Sequence, residues 1–241
     1  MGPSPLFVEH RTRGTLVHYF NHHGMHFKVT VTIRASRVEK WIRAVKSRFL
    51  DAAPIKCVGL DCEFTDPRNG GRANQCASVL QLSVAAEILV FQICWADKVP
   101  QLLKDFLRDK TIRFCGAAIN NDVCMLSHYG IDIPSAFDLQ TVVRPNPTTN
   151  PTPSLYALSN AIIGTTLEKK KRKKVKDNKK EEKKSDEEKE KEEELIFGWA
   201  NYPLSYEQVH YAALDARLGF EIARRHWHLH GYNSHVDHLN I

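Results

Sequence analysis

Ile55-Lys-Cys-Val-Gly-Leu-Asp61-Cys-Glu63-Phe64 is the stretch on which the fold turns. An apolar, branched run opens it, which predicts a buried strand. Side chains of a strand alternate between faces, so Asp61 and Glu63 project from the same one. Two carboxylates side by side on a core strand repel one another and are costly to take out of water. A cation between them answers both problems, and oxygen ligands suit a hard divalent ion.

The rest of the chain supplies further acids. Tyr211-Ala-Ala-Leu-Asp215 follows Ser205-Tyr-Glu-Gln208, whose spacing is a capping box opening a long final helix, with Gly231 as its stop. Tyr211 and Asp215 then share one helical face, one turn apart, and Ala212 and Ala213 let that face approach a sheet. Asp122 stands near the start of another helix, expected to be capped by Asn120 and to end at Gly130, after a short strand at 111–116. A sheet that gathers these acids over the first strand makes a site for two divalent ions. Such a pair, about 3.5–4 Å apart, clamps the attacking and leaving oxygens of an in-line phosphoryl displacement.

Periodicity fills in the surroundings. Residues 15–20 and 26–33 read as a hairpin, with 1–14 loose ahead of it. Ser36 is the expected cap of a helix reaching Phe49. The runs 78–85 and 88–95 form an antiparallel pair beside the Asp61 strand, and 100–108 and 154–163 read as helices. Residues 137–143 read as a fifth strand, closed by a proline-rich loop. A meander followed by alternating helices and strands is α/β, a mixed central sheet flanked by helices. We expect an N-terminal extension at 1–49, one domain at 50–231 and a tail at 232–241.

Charge is concentrated in one tract. Of the 27 residues from Glu168 to Glu194, 24 are charged, and the remaining chain, with 21 basic and 17 acidic residues, carries only +4. The tract reads as a disordered insertion within the domain: a lid over the substrate groove, a localisation signal centred on Lys169–Lys174, or a neutral linker. The mild basicity that remains is compatible with a polyanionic partner. Six cysteines at 57, 62, 76, 94, 115 and 124 contain no C-x-x-C pair and read as reduced. No apolar run reaches membrane-spanning length, so the expectation is a soluble protein of nucleus or cytoplasm with no membrane partner. Five histidines between His226 and His238 lack the spacing of a zinc site and read as polar surface.

Asp61-Cys-Glu63, Asn120-Asn-Asp122 and Tyr211-x-x-x-Asp215 together resemble the three motifs of the DEDDy, DnaQ-like 3′–5′ exonucleases. The context Val79-Leu-Gln-Leu-Ser-Val84 and Gly198-Trp-Ala-Asn-Tyr-Pro-Leu-Ser205 is closer still to Werner syndrome-type exonuclease domains, those of plants in particular. The resemblance covers residues 50–230 and implies an RNase H-like fold. It implies Asp61, Glu63 and Asp215 around the tighter of two Mg²⁺ or Mn²⁺ ions, with Asp61 bridging to the second. Asp122 would then act mainly through metal-bound water, and Tyr211 would set the attacking water. Phe64 stands where the family has an aromatic near the terminal base, with Leu82 on the adjacent strand as a second substrate contact. Cys62 and Asn121 depart from the familiar motifs without replacing a ligand, and Ala118 stands where relatives carry Gly, a packing question. The implied activity is removal of nucleoside 5′-monophosphates from the 3′ end of nucleic acid, DNA being the expected polymer and RNA an admitted one. The alternative is a nucleic-acid-binding or adaptor module on the same fold without chemistry. Residue by residue, simpler readings exist: a surface strand end for Asp61 and Glu63, a packed core aromatic for Tyr211, and a helix-dipole acid for Asp122.

Overall fold

The computed structural model describes residues 7–22, 24–66, 75–143, 152–167, 193–229 and 232. The tract 168–192, the loop 144–151, Gly231 and the tail from 233 lie outside the described residues, and with them the expectations placed there. Eight strands form one mixed sheet in the order β1-β2-β3-β6-β5-β4-β7-β8. Inside it lies β4 (Lys56–Phe64), paired antiparallel with β5 (Ala77–Val84) and parallel with β7 (Ile112–Gly116). The meander closes antiparallel onto β6 (Glu87–Phe91), and β8 (Ala136–Asp138) ends the far side. This is the α/β architecture read from the sequence.

The N-terminal segment departs from expectation. The hairpin forms from β2 (Thr15–His22) and β3 (Met25–Thr32), and β3 joins the main sheet parallel to β6. Residues predicted to be loose instead form β1 (Phe7–Thr12), an antiparallel edge strand on β2 with a bulge between Val8 and His10. Unpaired N–H and C=O groups along β2 give that segment a partner, which outweighs its weak local signal.

Long-range hydrogen bonds account for the other differences. Helix α1 (Ala35–Val45) starts one residue before the predicted cap, Ser36, because Asp97 Oδ1 accepts from Ala35 N at 2.9 Å and caps it from a distant loop. That bond is the main reason the Asp97 carboxyl is held below its usual range. The helix runs on as a π-helical turn, Lys46–Leu50. The stretch predicted as a strand at 137–143 stops at Asp138, whose side chain accepts from Gln140 N and caps the one-turn α4 (Leu139–Val142). Residues Ile93–Trp95, expected within a strand, form a 3₁₀ turn. The 100–108 expectation is met by α2 (Gln101–Arg108).

Helix α3 (Ile119–Ser127) begins after Ala118 at φ 58°, not at an Asn120 cap. The Ala-for-Gly question there is therefore one of conformation: a left-handed alanine costs about 1–2 kcal/mol that glycine avoids. The 154–163 expectation is met by the short α5 (Leu155–Ile162), with Ser154 as its cap. The final helix, α6 (Tyr206–His226), carries the predicted capping box, with Ser205 accepting from Gln208 N and the Gln208 side chain accepting from Ser205 N.

α6 lies directly on the sheet. A Cβ on Gly59 of β4 would collide with Ala216 O and stand 2.7 Å from Phe220 N, so only glycine admits the helix here. Gly219 returns the favour from the helix side, 3.0 Å being all that separates its virtual Cβ from Cys115 O. Beneath α6, the fully buried Arg217 donates to Ala85 O and pairs with Glu221 at 2.7 Å, and Glu221 also pairs with Arg224 at 3.0 Å. Of these, the bond to Ala85 O ties the helix to the sheet, and the two ion pairs neutralise the buried charges within the helix itself. All six cysteines are unpaired, with Cys57, Cys62 and Cys115 in the core and Cys124 exposed. No helix among the described residues is long and apolar enough to cross a membrane.

Candidate active site

Gly59, Asp61 and Glu63 alternate onto one face of β4, and that is the face α6 covers. Because Gly59 lets Ala216 come down onto the strand, its neighbour Asp215 arrives beside the two acids. Asp61, Glu63 and Asp215 each place a carboxylate oxygen within 4.8 Å of the others. Oxygens sharing one octahedral Mg²⁺ at ~2.1 Å stand roughly 3–4.2 Å apart, so these three must draw closer together to share an ion. Gln81, the register partner of Asp61, is fully buried on the same face, and neither atom of its amide has a hydrogen-bond partner among the described residues. An all-oxygen donor set over a floor with unmet polar groups fits a hard divalent cation.

The electrostatics agree. Burial pushes the Asp61 carboxyl well above its usual range, and the charges of Asp122, Asp215 and Glu63 push it further. Asp122, buried at the start of α3, lies outside the three-acid group but is close enough to be the strongest of those charges. Its own carboxyl is pushed up to about 8, first by burial and then by Asp138. Asp138 is a residue that sequence reading missed. Its Oδ1 accepts from Ala118 N at 3.1 Å as well as capping α4, so it ties β8 to the turn that delivers Asp122.

In the metal-free protein this has a sign. A carboxyl raised to about 8 from its ordinary 3.8 stabilises the fold below about pH 4, and that stability is lost as pH rises through 8. One such proton changes stability by up to ~1.4 kcal/mol per pH unit. The chelated protein should therefore melt progressively lower between pH 5.5 and 8. Mn²⁺, which replaces the protons, should raise the melting temperature more at pH 8 than at pH 5.5. Scanning fluorimetry with EDTA or Mn²⁺ at both pH values checks this, and equal Mn²⁺ shifts would contradict it.

Two phenols reach the group. Tyr211 lies one turn before Asp215, its ring 6.0 Å from that of the buried Trp199, and burial with the Asp215 and Glu63 charges holds its hydroxyl protonated. A second phenol, Tyr156 on α5, donates to Asp215 Oδ1 at 2.9 Å. Nothing in the sequence pointed to Tyr156, which lies 59 residues before its partner. Phe64 is half-buried after a register shift at the end of β4. Leu82 is a correction: it pairs with Leu60, on the face opposite the acids, and is fully buried, so it has no surface to offer a base. Among the described residues no histidine joins a metal-binding group, and His226 and His228 are exposed, as expected of polar surface.

A central strand with paired acids, a parallel neighbour and a helix carrying a further acid across its face define an RNase H-like, DnaQ-like exonuclease fold. A model of the 3′–5′ exonuclease family matches residues 30–227, and the chain belongs to that family. The match begins within β3, ahead of residue 50. The chain is 32% identical over 88 residues to exonuclease 3′-5′ domain-containing protein 2 of Drosophila melanogaster, an alignment covering 36% of this chain and 15% of that protein. Among solved structures it is similar to RNase D of Trypanosoma brucei, with a TM-score of 0.57 and 20% identity, over 80% of this chain and 63% of that one. It is also similar to an EXD2 exonuclease domain soaked in Mn and dGMP, with a TM-score of 0.41 and 20% identity, over 83% of this chain and 89% of that one.

Proposed function

We infer that the protein is a metal-dependent 3′–5′ exonuclease that releases nucleoside 5′-monophosphates. The observation that carries this reading is the convergence of Asp61, Glu63 and Asp215 within 4.8 Å on the face covered by α6. These three would hold one Mg²⁺ or Mn²⁺, and Asp61 and Asp122 a second. The ions, when bound, supply charge neutralisation at the phosphate and activation of water for two-metal, in-line displacement.

The chain's own groups do the rest. Tyr211, backed by Trp199, orients the attacking water by hydrogen bonding and is held protonated, so it acts as a donor. Attack at phosphorus breaks the bond to the 3′ oxygen of the preceding nucleotide, which leaves with a proton as the new 3′ hydroxyl. Phe64, at the end of β4, would stack on the terminal base, a contact that tolerates any sequence. The site residues proposed are therefore Asp61, Glu63, Asp122, Tyr211 and Asp215, with Phe64 for the substrate.

DNA is the proposed polymer, with RNA as the other arm of the test. The closer likeness to Werner syndrome-type domains rests on the motif lead-ins around Val79 and Trp199. A nuclear or cytoplasmic location, read from Lys169–Lys174, and an exonuclease unit at 50–231 belong to the same proposal. The test is a 5′-labelled duplex with a recessed 3′ end, and its RNA counterpart, incubated with the protein and Mg²⁺ or Mn²⁺. A ladder of shortened products that EDTA abolishes is expected on DNA. Binding with no ladder under either metal would leave only an adaptor role.

A further inference from the structure

We propose that Tyr156 is a positioning residue for the metal site: its hydroxyl locks one oxygen of Asp215 so that the carboxylate is presented to the ions in a single orientation. The inference rests on the metal-dependent reading above. Its basis is geometric. Tyr156 Oη donates to Asp215 Oδ1 at 2.9 Å, and Asp215 is one of the three acids that converge. A carboxylate on a helix retains rotation about its last bond, which is broad and soft for aspartate. One oxygen held by a fixed donor removes that freedom.

The donor is itself fixed at both ends of its helix. At the start of α5, Ser154 Oγ accepts from Ala157 N, and Gln140 Nε2 donates to Pro153 O from α4. At its end, the Asn160 side chain accepts from Leu167 N at 2.9 Å and donates to Leu167 O at 2.8 Å, stitching the chain back onto the helix. Leu158, fully buried one turn from these bonds, anchors the helix in the core. A hydroxyl on so constrained a helix can hold its partner rather than follow it. The arrangement also divides labour between the two phenols: Tyr156 fixes the ligand, and Tyr211 is left to face the water.

Partners that orient metal ligands in this way change metal affinity by 10–100-fold when removed. The experiment is Tyr156→Phe in the full chain, which keeps the ring and removes only the hydroxyl. Mn²⁺ binding is read directly by electron paramagnetic resonance titration without nucleic acid. The expected result is a Kd for Mn²⁺ weaker by about 10–100-fold. In the nuclease assay KM for nucleic acid should be unchanged, with activity recovered as Mn²⁺ is raised. If the wild-type chain binds Mn²⁺ and Tyr156→Phe binds it equally, the inference is overturned while the proposed function stands. If the wild-type chain binds no Mn²⁺, it is the proposed function that fails. A Tyr156→Phe variant that no longer melts cooperatively would assign the hydroxyl to the fold and overturn the inference as well.

Discussion

Asp61→Asn is expected to abolish exonuclease activity and, at the same time, to raise the melting temperature of the metal-free protein. Asp61 is the residue on which the other three acids act, its carboxyl raised by burial and by Asp122, Asp215 and Glu63. An amide of the same shape removes the charge that burial penalises and relieves its neighbours. It also removes the oxygen donor shared by the two proposed ions. Losing several kcal/mol of charge stabilisation at ~1.4 kcal/mol per decade costs at least about 10³-fold in rate. Relief of even 1 kcal/mol raises the melting temperature by roughly 2–4 °C in a chain of this size. Because a raised carboxyl destabilises the fold most where it must ionise, the gain should be larger at pH 8 than at pH 5.5. Nuclease rates and chelated melting curves at the two pH values check both halves. A variant that loses activity and also melts lower would show the acids stabilising the fold instead of straining it.

Gly59→Ala should be the most damaging single methyl in the sheet. The added carbon would overlap Ala216 O and lie 2.7 Å from Phe220 N and 3.0 Å from Phe220 Cβ. Two of these are backbone atoms, so no rotamer change relieves them, and α6 must lift from β4. Overpacking of this kind costs about 1–3 kcal/mol or more. The functional cost is larger, because Asp215 precedes Ala216 and rises with it. A displacement of ~1 Å at a reacting group costs on the order of 10²-fold. The expected outcome is a folded, destabilised protein with about 100-fold lower kcat and weakened Mn²⁺ binding. Gly219→Ala, whose Cβ would meet Cys115 O at 3.0 Å, is the milder comparison. Wild-type activity in Gly59→Ala would mean that helix approach does not set the site.

What the sequence disclosed was local. The period of β4 placed Asp61 and Glu63 on one face, and the Ser205–Gln208 spacing announced α6 and so the Tyr211–Asp215 pair. What it concealed was contact between distant segments. The cap of α1 comes from Asp97, 62 residues away, so the nearby Ser36 was a false signal. Asp138 looked like one residue of a strand, but its bonds to Gln140 N and Ala118 N end the strand and position α3. Leu82 was misassigned because every residue of β5 is buried, which erases the alternation that would reveal a face. Tyr156 was invisible for a similar reason: the charged tract separates it from Asp215, and nothing local marks a phenol as a hydrogen-bond donor to an acid.

The parallel pairing of β3 with β6 has a consequence for how molecules of this protein meet one another. Without the N-terminal strands, β6 would be an open border of a long, apolar sheet, with Ile88, Leu89, Val90 and Phe91 all fully buried in the present fold. Such borders recruit strands from other chains. The added hairpin moves the border outward to β1, a six-residue strand interrupted by a bulge. A short, irregular border is a poor template for strands of another chain, and it lies at a distance from the acids.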